Sequence, residues 1–185
     1  MHSTGGHTNM RHYVFVTIAA LGLAMAMALP ATSAQQEFDP GNRLAYSQYA
    51  GPVIVVPKDK DFDPGAGFVY GMQWEKHSEI VFLDAAFAWT DASNGILWYS
   101  GDVRHAMVRL GYKKPVSRNR KLVLGADIQT QQMRLGARKF TGVSFGVLAD
   151  YKVSPNWFVE FESVQKTKRS GIYFGNFTLS ILKYF

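Results

Sequence analysis

From residue 44 onward, apolar and polar positions alternate with a period of two, and short clusters of turn-forming residues break the alternation at intervals. Eight segments carry it: 44–56, 65–75, 79–90, 97–112, 121–133, 140–152, 157–165 and 172–185. The links at 58–64, 76–78, 91–95, 113–120, 135–139, 154–156 and 166–171 mostly hold Pro, Gly, Asn, Asp or Ser, the residues that turns use. No segment sustains a 3.6-residue period. The first strand is interrupted by Pro52, which a ladder tolerates at an edge or bulge. Eight consecutive strands with short links predict an all-β, up-and-down antiparallel sheet, and closure into a barrel removes its exposed edges.

Side-chain size decides which face is inside. In 65–75, Ala66, Phe68, Tyr70, Met72 and Trp74 oppose a face of Gly65, Gly67, Val69, Gly71, Gln73 and Glu75. In 121–133, Leu122, Leu124, Ala126 and Ile128 oppose Val123, Gly125, Asp127, Gln129 and Gln131. In 140–152, Val143, Phe145, Val147, Ala149 and Tyr151 oppose Gly142, Ser144, Gly146, Leu148 and Asp150. An eight-stranded barrel has an interior just wide enough for side chains, so the small and polar face fits inside. The second face is too rich in glycine and too poor in Lys and Glu for a solvated exterior. The pattern therefore predicts an eight-stranded antiparallel transmembrane β-barrel, apolar out and small or polar in. Trp74, Trp89, Trp98, Trp157, Tyr112, Tyr151 and Tyr184 fall near strand ends, which suits aromatic girdles at two membrane interfaces.

The first 34 residues read differently. Arg11 and His12 precede an apolar run over 13–29, followed by Pro30 and Ala31-Thr32-Ser33-Ala34. This order reads as a cleavable signal peptide over 1–34, cut between Ala34 and Gln35, with the barrel at 35–185. An uncleaved anchor is the alternative; Pro30 and the small residues favour cleavage. Met10, directly before Arg11, offers a second start, which would make 1–9 a misassigned extension. With no cysteine, a disulfide scaffold, a Cys-based zinc site and a lipoprotein anchor are all excluded. Formal net charge is +6, but the basic residues are not gathered in one run or face, so no nucleic-acid partner is expected. No stretch after residue 34 is apolar over the ~20 residues a spanning helix needs.

Two stretches, 65–87 (GAGFVYGMQWEKHSEIVFLDAAF) and 151–157 (YKVSPNW), resemble the small eight-stranded outer-membrane barrels of the OmpA and opacity-protein type. Sequences of that type repeat a glycine-rich strand, a tight periplasmic turn and an alternating apolar strand. The resemblance implies the outer membrane of a Gram-negative bacterium, with 76–78, 113–120 and 153–156 as periplasmic turns. Two features depart from the type. The outer loops are short, and 113–120 is long and basic for a periplasmic turn.

The inward polar set is Glu75, Asp84, Asp127, Glu160 and Glu162, with Arg109 as its cation. Buried carboxylates need partners or water. Arg109 requires a register shift, such as a bulge, in 97–112 to face inward. The set reads either as a gated conductance path or as a satisfied network that fixes register, and the second is favoured. The segment 59–63 spaces aspartates like a calcium loop, yet Pro64 stands where glycine is needed and Tyr70 where glutamate is needed, so a solvated loop and no metal or cofactor are expected. Arg134, Arg138, Lys139, Lys166, Lys168 and Arg169 are expected in outer loops, where they could meet lipopolysaccharide phosphates. Lipid A deacylases and acyltransferases exist on barrels of the resembled type. However, His77 lies in a turn beside Ser78 and Glu79, and His105 falls on the face opposite Ser100 and Asp102, so no catalysis is expected.

The reading is thus a monomeric structural or surface-interaction barrel, with a narrow channel for solutes or ions as the alternative. On the last segment, Phe177, Leu179, Ile181 and Phe185 share the lipid face. A terminal aromatic on an alternating last strand also resembles the signal that the barrel-assembly machinery recognises, with Lys183 as the misfit.

Overall fold

The computed structural model describes residues 44–59, 61–92, 101–165, 167–169 and 172–185; the expected leader, residues 35–43 and Trp98 lie outside them. The strands are β1 (Ala45–Pro57), β2 (Gly65–Lys76), β3 (Glu79–Ala92), β4 (Gly101–Pro115), β5 (Leu122–Leu135), β6 (Arg138–Ser154), β7 (Trp157–Val164), β8 (Thr167–Arg169), β9 (Ile172–Phe174) and β10 (Asn176–Tyr184). Eight of them close into an antiparallel barrel in the order β1-β10-β7-β6-β5-β4-β3-β2. The short pair β8–β9 forms a separate hairpin.

Three boundaries differ from the sequence reading. The last segment is not one strand: Ile172–Phe174 pairs with Thr167–Arg169, and Gly175, at φ 142°, separates this hairpin from β10. The basic link expected at 113–120 is shorter, because Lys113, Lys114 and Pro115 still pair with Gly125, Leu124 and Val123. The register of β4 runs without a shift against both β3 and β5, so the expected bulge is absent there; the irregularity falls between Lys152 and Ser154 of β6. Pro52 does lie within β1. It pairs with Phe68 of β2, while the β1–β10 pairing lapses at Gly51 and Pro52 and resumes in the same register at Val53.

The two rims differ in their connections. At one, here the turn end, β1 begins, β10 finishes, and tight turns join β2–β3, β4–β5 and β6–β7. His77 and Ser78 make the first of these with φ of 51° and 69°, the left-handed pair that matches the strand twist of a two-residue hairpin. The opposite rim is the loop end.

Burial follows the alternation. Outward Phe145 and Val147 expose 59% and 62% of their surface, whereas inward Glu160 and Gln129 expose 0% and 1%. This inverts the arrangement of a water-soluble barrel, and an apolar solvent around the strands accounts for it. Inside, glycine makes room for large side chains: a Cβ on Gly111 would lie 2.4 Å from the Phe82 ring, and one on Gly71 would lie 2.5 Å from the Tyr49 ring.

Candidate functional site: the lumen and its two rims

Inward positions on β4 are Val103, His105, Met107, Arg109, Gly111 and Lys113, and ordinary strand parity carries two cations into the barrel. Arg109 is the hub. Its Nε and Nη2 donate to both carboxylate oxygens of Asp84 on β3, at 2.8 and 2.7 Å. Nη2 also reaches Glu160 at 2.8 Å, and Nη1 reaches Glu162 at 2.7 Å, both on β7. One planar guanidinium thus ties opposite walls together, a geometry that an ammonium could not supply. Lys113 donates to Asp150 Oδ2 at 2.8 Å and to Glu160 Oε2 at 3.0 Å, and its ammonium lies 4.5 Å from the centre of the Phe82 ring. The Tyr49 hydroxyl donates to Asp84 at 2.5 Å, Thr178 donates to Glu162 at 3.0 Å, and the Gln129 amide donates to Glu162 at 2.6 Å.

The expected polar set is brought together only in part. Asp84, Arg109, Glu160 and Glu162 form one cluster. Asp127 is buried beside it, but only the neutral Gln129 amide reaches it, at 3.2 Å, and its Oδ2 meets no protein donor. Glu75 faces inward but is not part of the belt: it lies at the turn-end rim, lines the cavity there and pairs with Arg120 of the β4–β5 turn. Lys113 and Asp150 complete the network and were missed as members of it. Lys113 was read as part of a turn because two lysines and a proline follow one another. The outward trio Val108, Leu110 and Tyr112 would have placed both Arg109 and Lys113 inside by parity alone.

Above this belt, toward the loops, the lumen holds a buried apolar cluster alongside buried polar residues such as Thr90, His105 and Gln131. Phe62, Ala92, Val103, Met133 and Leu135 form a buried cluster with Phe140 packed against it. Phe62 bridges to Ala92 and is buried, and Asp59 is buried as well, so these two are anchored into the mouth rather than simply solvated; the Phe62 N–H donates to Asp59 O at 3.2 Å. His105 lies near this cluster with its Nε2 2.8 Å from Thr90 Oγ1, and Asp102 faces outward, as their separation requires; Ser100 lies outside the described residues. Below the belt, the turn end opens into a cavity of about 420 Å³ lined in part by Gln73, Glu75, Arg120, Asp150, Phe158 and Tyr184. Tyr184 points inward here, with its hydroxyl 3.3 Å from Gln73 Oε1, and so is not a girdle residue.

Outside, near the loop end, Arg104, Arg134 and Lys139 are mutual register partners on β4, β5 and β6, and all are exposed. Trp89 of β3 continues the row as the partner of Arg104. Arg134, Arg138 and Lys139 therefore sit on strand ends rather than in loops. The backbone of Lys168 and Arg169 lies in β8, and Lys166 lies outside the described residues. Arg104 was not singled out in the sequence, although its outward parity with Ala106 and Val108 was available. On β10, Phe177, Leu179 and Ile181 face outward; Phe185 follows the strand and exchanges two backbone hydrogen bonds with Gln48 of β1.

A closed barrel of eight antiparallel strands, apolar outside and packed with a charged network inside, is a transmembrane β-barrel of minimal size. The chain belongs to the family of outer membrane protein β-barrel domains, whose model matches residues 17–185, and its place is the outer membrane of a Gram-negative bacterium. No curated protein matches the chain in sequence. Among solved structures, Neisserial surface protein A is similar with a TM-score of 0.52 and 11% identity, over 77% of this chain and 97% of that one. A de novo designed transmembrane β-barrel gives 0.52 and 16%, over 78% and 98%. Ail, the attachment invasion locus protein of Yersinia pestis, in complex with the heparin analogue sucrose octasulfate, gives 0.50 and 16%, over 78% and 100%. At these identities the likeness is one of fold.

Proposed function

We propose that the barrel is a non-conducting, non-catalytic surface-interaction protein whose loop end contacts lipopolysaccharide phosphates. The turn end faces the periplasm in this reading. The observation that carries it is the row Arg104–Arg134–Lys139. Like charges directly opposite one another on neighbouring strands are destabilising. Three such cations side by side on an outward face gain most where an anion bridges them, and a phosphate accepts several charge-assisted hydrogen bonds at once. The buried apolar cluster toward the loops supports the non-conducting part, since it occupies lumen that a polar path would need. Ail was crystallised with a sulfated sugar; for this chain, an anionic partner rests on its own basic row. The outward apolar positions Phe177, Leu179 and Ile181 of β10 serve as the assembly signal, and the barrel acts as a monomer.

The test is the melting of the folded band on heat-modifiable gels, in discs with and without lipopolysaccharide. Lipopolysaccharide should raise the midpoint of the wild type, and the triple variant Arg104→Gln, Arg134→Gln, Lys139→Gln should lose that gain. Equal gains in both would sink the reading. Discrete conductance in planar bilayers would overturn the non-conducting part. A lipid A mass spectrum changed by wild-type expression but not by His77→Ala or His105→Ala variants would overturn the non-catalytic part.

A further inference from the structure

The turn end is the more basic rim, and the lumen network does not explain why. Among the described residues and setting aside the belt pair Lys113–Asp150, seven side-chain cations gather there against two side-chain carboxylates, Glu75 and Glu79. Glu75 is taken by Arg120, and Glu79 lies 4.0 Å from Lys114. Lys152 and Arg120 face the mouth of the cavity. The remaining five, Lys76, Lys114, Arg118, Lys121 and Lys183, stand on or beside the outer wall.

Their height on the wall is informative. Tyr46, Trp74 and Tyr112 are joined in one cross-strand row, through Val81 of β3. Tyr46 and Tyr112 expose 42% of their surface each, on the face where the apolar belt ends. Lys76 and Lys114 stand two residues beyond Trp74 and Tyr112, which is about 7 Å further along the strand. On the other side of the barrel, Trp157 of β7 is the register partner of Lys183 of β10. Aromatic rings at the edge of an apolar belt mark the membrane interface, and cations one step beyond them lie at headgroup depth. Such cations reach sideways to lipid phosphates rather than downward to a soluble polymer. Arg118 and Lys121 extend the same charge from the β4–β5 turn.

We infer that this rim is a collar for anionic phospholipid headgroups. The collar attracts them by charge, and the aromatic row fixes its depth. The link to the proposed function is orientation alone: with the turn end in the periplasm, the leaflet it meets is the phospholipid one.

The full barrel can be released from vesicles of phosphatidylcholine and phosphatidylglycerol in equal parts and its retained lipids weighed by native mass spectrometry. Phosphatidylglycerol should be over-represented several-fold, and the excess should shrink as salt is raised. A turn-end variant, Lys114→Gln, Arg118→Gln, Lys121→Gln, should retain the two lipids near parity. The loop-end triple variant described above should keep the excess. Retention in bulk proportion by the wild type would overturn the collar, as would an unchanged excess in the turn-end variant. An excess lost in the loop-end variant instead would move the anion site to the other rim and also overturn it. Equal lipopolysaccharide gains in the wild type and the loop-end variant, with this excess intact, would reject the proposed function and leave the collar standing.

Discussion

Two clusters in the lumen are built from opposite materials. Toward the loops, Phe62, Val103, Met133 and Leu135 pack together as an apolar core would, with the Thr90–His105 pair beside them. Toward the turns, Arg109 and Lys113 hold four carboxylates in a polar belt above an open cavity. The apolar cluster is stabilised by volume, and its parts are nearly interchangeable. The belt is stabilised by mutual compensation, so every member depends on the others. Removing one partner of a buried ion pair costs more than the pair contributes, because the other charge stays buried without it.

Arg109→Met should break the comparison most sharply. It takes from Asp84 and Glu162 their only cation among the described residues, leaves Glu160 with Lys113 alone, and should cost upward of about 3–5 kcal/mol, read as the urea midpoint of the lipid-embedded barrel. A loss under about 1 kcal/mol would show that the belt tolerates missing members as the apolar cluster does. Next is Met133→Ala in the apolar cluster, where the penalty should scale with the void, at about 2–3 kcal/mol. Adding back volume with Met133→Leu should restore most of it, whereas Arg109→Lys should not restore the belt, since an ammonium cannot span both walls. Gln129→Ala removes a neutral donor to Glu162 and should cost about 1–2 kcal/mol. The smallest effect belongs to the rim: Arg120→Gln breaks the half-exposed pair with Glu75 and should change stability by less than about 1 kcal/mol. It should nonetheless widen access to the cavity, which faster quenching of Tyr and Trp emission by small aqueous quenchers would register.

The same division explains what the sequence made legible. Strand number, the inward and outward faces and the membrane-barrel class followed from local alternation, which needs only neighbours two residues apart; the outer membrane came from the family resemblance. Glu160 and Glu162 were placed inside for that reason. Their partner Arg109 lies 51 and 53 residues away, and the pairing depends on how far the strands are staggered around the barrel, which alternation does not encode. Lys113 shows the limit from the other side. Composition marked Lys113-Lys114-Pro115 as a turn, and burial beside Asp150 and Glu160 overrode it. Glu75 shows the reverse case: correct parity, but a position too near the rim to reach the belt.

The lapse in pairing at Gly51 and Pro52 sits in the one ladder that joins the first strand to the last. The other seven ladders of the barrel run without such a break, apart from the shift at Lys152 and Ser154. The cylinder therefore has a seam, and it is where the sheet can be fastened last and unfastened first. Backbone amides flanking Gly51 should exchange with solvent deuterons sooner than those of β4 or β5, and a protein that must insert as a nearly finished ribbon would be sewn shut along this line.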